Sequence, residues 1–411
     1  MDVLHERCAG LDVHQETVVC CVLISEPGGR CRKEFRTFGT MTADLEALRD
    51  WLRDRGVSHV AMESTGVFWK PVYAVLEGHV GIVVGNAQHI RNVPRRKTDI
   101  KDAEWLGQLL RHGLIRASFV PPPEFRELRE LLRFRRGMVQ DGVRLRNRMI
   151  RRLEGAGIKL AAVASDVFGV SGRAMLRALI DGTQSPAEMA DLARRRMRGK
   201  LPALARALDG RLSDSDRFLL DLDLRQLERL EADLGVLDER IEEKLAPYRE
   251  QRRQLMAIPG VDAVAAATIL AEVGIDMAVF GTAKRLAAWA GVCPGNRESA
   301  GKTKAAATRK GNPHLKAALF TAAASAVRKK GSYYKAKYYR LKARQGAKRA
   351  LMAIAHKILV AVFQMLSRNE SFQDLGEAYL DRLAEKRVTL RLVERLNALG
   401  YQVELKPKAA A

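Results

Sequence analysis

An α/β domain followed by an all-α remainder is the fold class this sequence predicts, on three observations. Over the first 120 residues, β-branched runs alternate with segments of helical apolar periodicity. A Pro-Pro-Pro triplet at 121–123 breaks that alternation. Beyond it, apolar residues recur at helical spacing through Leu-, Arg- and Ala-rich segments. At 411 residues the chain has room for two or three cores.

The elements follow in order. "GLDVHQETVVCCVLI" (10–24) reads as a strand with Asp12 near its start, and a turn at "EPGGR" leads to a paired strand, "CRKEFRTFG". "TADLEALRDWLRDRG" (42–56) is a helix, with Leu45, Leu48, Trp51 and Leu52 on one face and Gly56 as its stop. "VSHVAME" (57–63) is a short strand ending on Glu63. "STGVFWKPVYAVLEG" is a helix with Ser64 or Thr65 near its N-cap, and "HVGIVVGN" (79–86) is a buried strand. A helix begins near Asp99. Hairpin, helix, strand, helix, strand, helix makes an α/β domain with a mixed sheet.

After the prolines comes a long amphipathic helix, weakened at Gly137 and Gly142, with ten arginines against four acids over 124–152. In 156–210 the pattern is mixed helical. A heptad then places Leu220, Leu227, Leu234 and Ile241 seven apart, with Leu230 and Leu237 in the second seam and Asp223 and Lys244 breaking it. An intramolecular helical hairpin and a dimerisation arm both satisfy that pattern. "LMAIPGVDAVAAATILAEVG" (255–274) resembles a helix-hairpin-helix, with Asp262 replacing its usual second glycine; a packing hairpin fits equally. The divisions expected are 1–120, 121–210, 211–250, 251–370 and a helical tail, 371–411.

A formal net charge of +23 attracts polyanions and points to nucleic acid. No apolar stretch near the roughly 18 residues of a spanning helix stands out, so no membrane partner is expected and the compartment expected is the cytoplasm. Five cysteines with no C-x-x-C spacing indicate neither a disulfide framework nor a zinc site, and most read as buried, inert thiols.

The chemistry centres on "RRKTDIKDAEWL" (95–106), where Asp99 and Asp102 fall one helical turn apart in a basic setting. A helix cap, an ion pair and a metal ion each offset their repulsion. Asp12 and Glu63 sit among apolar strand residues, where a carboxylate needs a partner. Four acids converging on one pocket require a cation, and Mg²⁺ is the hard, oxygen-seeking choice. Ser299 lies in the Gly-rich "CPGNRESAGKTK" (293–304). That loop is no phosphate-binding P-loop, because five residues separate Gly295 from Gly301 and a helical segment precedes it. Ser299 flanked by Arg297, Lys302 and Lys304 reads as a nucleophile, or as a hydrogen-bond donor to a phosphate or turn. "RKKGSYYKAKYYRLKARQGAKR" (328–349) holds ten Lys or Arg, four tyrosines and no acid, which suits phosphates and stacked bases. The candidate nucleic-acid contacts are Arg133, Arg136, Arg144, Arg148, Arg297, Lys302, Lys304, Lys335, Tyr338 and Arg340.

In order along the chain, "GLDVHQETVV", "MESTGVFWKPVY", "RKTDIKDAEWLGQLL", "IPGV" and "GVCPGNRESAGKTK…GNPHLKAAL" resemble the DEDD-type insertion-sequence transposases of the IS110 group. The resemblance implies an RNase H/RuvC-like first domain, a coiled-coil arm and a C-terminal transposase domain. It implies Asp12, Glu63, Asp99 and Asp102 as a metal-binding tetrad and Ser299 as nucleophile. It further implies an RNA-guided recombinase working on donor and target double-stranded DNA with a structured bridge RNA; because strand exchange between two duplexes needs several active sites, dimers pairing into a tetramer are expected. Ala300 stands where that group commonly has glycine, and His314 where it commonly has arginine. A metal-dependent nuclease or junction resolvase using water as nucleophile is the alternative, and a non-catalytic nucleic-acid-binding protein is a further one.

Overall fold

The computed structural model describes residues 2–28, 30–64, 66–86, 99–294, 298–299, 302–303, 308, 310–383 and 385–405, with Asp99, Glu298, Ser299, Lys302, Thr303, Asp381 and residues 386–388 described in backbone only. The chain divides into two compact units, Met1–Val120 and Pro121–Ala411.

The first unit contains β1 (Arg7–Val13), β2 (Thr17–Ser25), β3 (Cys31–Gly39), α1 (Thr42–Asp54), β4 (His59–Glu63), α2 (Trp69–Leu76), β5 (Gly81–Gly85) and α3 (Asp99–Arg111). Its sheet runs β3-β2-β1-β4-β5. β1, β2 and β3 are antiparallel neighbours, while β4 and β5 continue parallel to β1. The sheet is therefore mixed, as the alternation predicts, with one strand more than expected. Residues 10–24 are not one strand but parts of two, joined by a tight turn in which His14 N donates to Thr17 O at 2.9 Å. His-Gln-Glu carries no Gly, Pro, Asn or Asp turn signal, so the sequence hides the reversal. The second helix also starts late, at Trp69, with no side-chain cap, so Ser64 does not cap it, and Thr65 lies outside the described residues.

The sheet's pleat divides two apolar layers. Ala9, Leu11, Cys20 and Met62 meet Leu45, Leu48 and Leu52 of α1 and Val72 and Leu76 of α2. Cys8, Cys21, Leu23 and Ala61 meet Ala103, Leu106 and Leu110 of α3 on the other face. Burial pushes the Cys8 and Cys21 thiols up to about 12, and Cys20 upward too, so these are packing residues rather than nucleophiles.

Among the described residues, the second unit is helical apart from one small hairpin and an isolated bridge. Its spine is α4 (Pro123–Gly155), which runs unbroken through both glycines. Gly142 lies under α9 (Asp214–Leu245), where an added Cβ would come within 3.3 Å of a Leu230 methyl. Short helices fill the segment between: α5 (Leu160–Val163), α6 (Val170–Asp181), α7 (Pro186–Asp191) and α8 (Leu201–Leu208). They build a core of their own with the second half of α4, including Met149, Leu153, Met175, Leu176 and Leu204. The heptad residues Leu220, Leu227 and Ile241 are buried, and α9 packs along α4 and α6. The buried seam of the heptad is thus used for packing within the chain. Asp223 breaks the seam because it is a buried partner of Arg148, whose Nε lies 2.9 Å from its Oδ2.

The remaining helices are α10 (Arg249–Met256), α11 (Ala263–Val273), α12 (Ala283–Ala290), α13 (Pro313–Ala326), α14 (Tyr333–Gln345), α15 (Ala347–Arg368), α16 (Tyr379–Leu383) and α17 (Glu385–Ala398). Between α10 and α11, Gly260 at φ +83° abuts the backbone of Ala322 and Ala326. Asp262 caps α11 by accepting from Ala265 N at 2.7 Å, so this helix N-terminus already holds a carboxylate. That arrangement makes it a packing hairpin. The expectation about apolar stretches needs correction at α15, which is 22 residues long and apolar enough to meet the criterion for a span. Its Ala350, Ile354, Ile358, Leu359 and Val362 are buried and it packs on α12, α13 and α14, as a core helix does.

Candidate active site

The acids of the first unit are positioned by a strand and a helix that cross at two glycines. An added Cβ on Gly10 would stand 2.0 Å from Ala103 O and 2.4 Å from Gly107 N, so α3 rests directly on β1. Helix and strand run in opposite directions. Leu4 N donates to Arg111 O at 2.8 Å, and Cys8 Sγ to Gly107 O at 3.7 Å. Continued by one turn, that path carries the first turn of α3, with Asp99 and Asp102, toward the end of β1 that holds Asp12. Asp102 lies one turn before Leu106, which is buried against the sheet.

Glu63 reaches the same edge through strand register. β1 and β4 pair in parallel with Gly10 opposite Ala61 and Leu11 opposite Met62. Asp12 and Glu63 are the next residues on each strand, and both share the face of Gly10 and Ala61 on which α3 lies. Asp12 is only 18% exposed in its side chain, and His14 Nε2 stands 3.1 Å from its Oδ2. That imidazole was not among the sequence-derived candidates; a histidine two residues beyond the aspartate, just past the end of β1, is the signal that would have found it.

Among the described residues, no three carboxylate, imidazole or thiol groups stand close enough together to hold a metal ion. Asp12, Glu63 and Asp102 are all described and do not by themselves make the converging cluster expected from the sequence, and the Asp99 side chain lies outside the described set. The donors nonetheless have the chemistry of a hard-cation site: carboxylate oxygens at the C-terminal ends of two parallel strands and in the first turn of one helix. Like charges brought together on such an edge would be relieved by a divalent ion more effectively than by a solvated lysine.

Ser299 belongs to a two-strand hairpin in the second unit, β6 (Glu298–Ser299) and β7 (Lys302–Thr303), with Ser299 paired to Lys302. The hairpin stands in a loop leading from α12 to α13. Arg297 and Lys304 lie outside the described residues.

The basic candidates divide by what they touch. Arg133 is engaged with Glu272, at 2.9 Å through Nε and 2.8 Å through Nη2. Arg144 pairs with Asp141 on its own helix, and Arg148 with Asp223. Arg135, Arg146 and Arg152 likewise meet Asp238, Glu231 and Asp216 of α9. Much of the arginine-rich helix thus holds two long helices together, a partnership its composition does not reveal. Arg136 is exposed and, with Lys329, borders a cleft of about 670 Å³ between α4, α11 and α13. On α14, Tyr339 and Arg340 are exposed, while Lys335 and Tyr338 are half-buried. Lys337 has its ammonium pKa lowered by burial and then by Lys357, Arg344 and Arg340, so cations crowd one another there. Tyr334 is different: it is buried and stacked on Phe372 at 5.9 Å.

Two family models match the chain. A DEDD transposase model of the IS110 type matches residues 9–158, and the transposase model of the IS116/IS110/IS902 family matches residues 252–340. The chain belongs to the IS110 transposase family. The two matches together cover more than half of it, the first spanning Asp12, Glu63, Asp99 and Asp102 and the second spanning Ser299. The transposase is an enzyme acting on DNA, and the DEDD class of its first domain implies dependence on a divalent metal. No curated protein matches it significantly.

Proposed function

We propose that this transposase excises and integrates its insertion sequence by serine transesterification, with Mg²⁺ at the acidic edge and target choice set by a bound RNA. The observation that carries this reading is the glycine crossing of α3 over β1, which supports a common edge for Asp12, Glu63, Asp99 and Asp102. Three antiparallel strands followed by two parallel ones, with a helix packed back on the first strand, also favour an RNase H/RuvC-like assignment.

Asp12, Glu63, Asp99 and Asp102 would hold Mg²⁺, which when bound draws charge from the oxygens of the scissile phosphodiester. Ser299 supplies the nucleophile. Its Oγ forms a bond to phosphorus, the bond from phosphorus to one DNA oxygen breaks, and the hydroxyl proton ends on that leaving oxygen. A DNA hydroxyl from the new partner then attacks the phosphoserine and frees Ser299. One phosphoester replaces another in each half, so no ATP is needed. His14 keeps Asp12 oriented as an acceptor in this scheme.

Guidance by a bridge RNA rests on the family resemblance and on a surface that suits backbone contact better than base reading, with crowded cations and the exposed Tyr339 on α14. Exchange between two duplexes requires several serines, so dimers pairing into a tetramer are part of the reading.

The test incubates protein, Mg²⁺, element-junction DNA and RNA from the element's flanks, then denatures the mixture and resolves protein-bound DNA. A covalent adduct absent from both Ser299→Ala and Asp102→Asn is expected, with Mg²⁺ binding measured by calorimetry weakened only in the latter. Cut ends that persist in Ser299→Ala would instead establish hydrolysis by water. Equal recombination by RNA-free protein would remove the RNA from the scheme.

A further inference from the structure

The loop carrying Ser299 is clamped at its base, and the clamp has features that a simple connection does not need. Gly291 ends α12 in the left-handed region, at φ 72°, and Gly311 lies against it. A Cβ added to Gly311 would stand 2.4 Å from Gly291 N and 2.6 Å from Ala290 C, so the two ends of the loop meet backbone on backbone. One step further out, Pro294 and Thr308 form an antiparallel bridge, and Lys316 Nζ of α13 holds Thr308 Oγ1 at 2.6 Å.

Asn312 follows Gly311 and works in two directions. Its Oδ1 accepts from His314 N at 3.0 Å and Leu315 N at 3.1 Å, which caps α13. Its Nδ2 donates to Glu272 Oε2 at 2.6 Å. Glu272 is 1% exposed on α11 and is also bound by Arg129 and Arg133 of α4. A cap needs only an acceptor, and Ser, Asp and Asn serve about equally. The donor half of Asn312 is therefore surplus to capping. It ties the end of the serine loop to a buried charge that two arginines of the spine helix hold fixed.

We propose that Gly311 and Asn312, with Glu272 behind them, are positioning residues that fix the Ser299 hairpin for in-line attack. The inference rests on Ser299 being the nucleophile. Its physical basis is the steep dependence of attack on geometry: a misplacement of about 1 Å costs on the order of a hundredfold in rate. A loop with free ends would not hold an Oγ to that tolerance. The backbone contact at Gly311 and the side-chain latch at Asn312 hold the end of the loop independently of each other.

The test uses the full chain with Mg²⁺, element DNA and flanking RNA, and reads adduct formation at saturating DNA, half-saturation for DNA and melting temperature. Asn312→Ser keeps the cap and removes the donor. Unchanged melting temperature and half-saturation with adduct formation slowed about tenfold or more would support the latch. Asn312→Asp keeps the cap and sets a carboxylate against Glu272, and a loss at least as large is expected. Gly311→Ala, which forces the loop ends apart, should do the same, and Asn312→Ser decides the matter if that protein does not fold. Wild-type rates in both Asn312 variants would overturn the proposal while leaving Ser299 as nucleophile. Wild-type protein that cuts DNA without any adduct would instead overturn Ser299 itself, and the positioning role with it.

Discussion

Gly10 of β1 and Gly107 of α3 lie backbone to backbone, with no room for a methyl group between strand and helix. The contact sets the height and direction of α3 over the sheet, and so sets where its first turn meets the ends of β1 and β4. What lies opposite Gly10 is main chain, Ala103 O and Gly107 N, which cannot swing aside as a side chain would. Gly10→Ala is therefore expected to destabilise the first unit by on the order of 1–3 kcal/mol or more, the usual cost of overpacking. Divalent-metal binding should weaken with it, although no carboxylate is altered. Calorimetric titration beside thermal denaturation would measure both, and unchanged metal affinity in a folded Gly10→Ala protein would dissociate the crossing from the acidic edge.

Arg148 and Asp223 make the opposite case, a charge pair where the sequence shows a DNA-seeking arginine and a broken heptad. Asp223 is 6% exposed, whereas the Arg148 side chain is about half exposed, so the two partners respond differently to loss. Arg148→Ala leaves a buried carboxylate unpaired and should cost about 1–3 kcal/mol, with little effect on DNA or RNA affinity. Asp223→Leu restores the seam, and Arg148 can turn to water, so stability should hold or rise. Chemical denaturation of both variants reads the difference directly. A large affinity loss in Arg148→Ala at unchanged stability would restore the arginine to the nucleic-acid face.

What could be read from the sequence was what local pattern encodes. The apolar face of α1, the proline boundary after Val120 and the strand-end position of Glu63 all follow from periodicity and from residues with restricted backbones. Strand order does not follow from such patterns: that β4 lies beside β1 rather than β3 is fixed by long-range packing. The turn at His14 was hidden because none of its residues favours a turn strongly. Residues 156–210 gave little because each helix there is short, and the shared core appears only when they are assembled. Glu272 was invisible for a related reason: one acid in an Ala-rich helix looks like a surface residue until two arginines arrive from 139 and 143 positions away.

The pH response of the second unit should come partly from two histidines. Burial, reinforced by Arg133, lowers the His314 pKa; burial with Lys357 lowers that of His356. Groups depressed in the folded state contribute stability that is complete above their unfolded value of about 6.5 and declines as pH falls through the folded pKa. The melting temperature should accordingly decline as pH drops from 7 toward 5. His314→Gln combined with His356→Gln should flatten that interval. An unaltered profile would show that other groups control it.

On α14 the same sequence run contains both scaffold and surface, and the two can be told apart by what each substitution disturbs. Tyr334 is buried against Phe372, so Tyr334→Ala should lower stability as a cavity does, by roughly 3–5 kcal/mol for an aromatic truncated to alanine. Tyr338 packs edge-on to the exposed Tyr339 at 5.3 Å, and Arg340 is exposed beside them. Each cation here that neutralises a phosphate should contribute about 0.7–0.9 to the slope of log affinity against log salt, the lower value for single strands. Lys335→Ala with Arg340→Ala should therefore reduce that slope by close to two such contributions, and equally for unrelated sequences, because backbone contacts carry no sequence information. Tyr338→Ala should act differently, weakening single-stranded nucleic acid by about 1–3 kcal/mol with the slope unchanged, because a stacked base releases no counterion. Filter binding across a salt series, with single and double strands of two sequences, separates these effects. A slope left intact by the double substitution would make α14 a solvated face rather than a nucleic-acid contact.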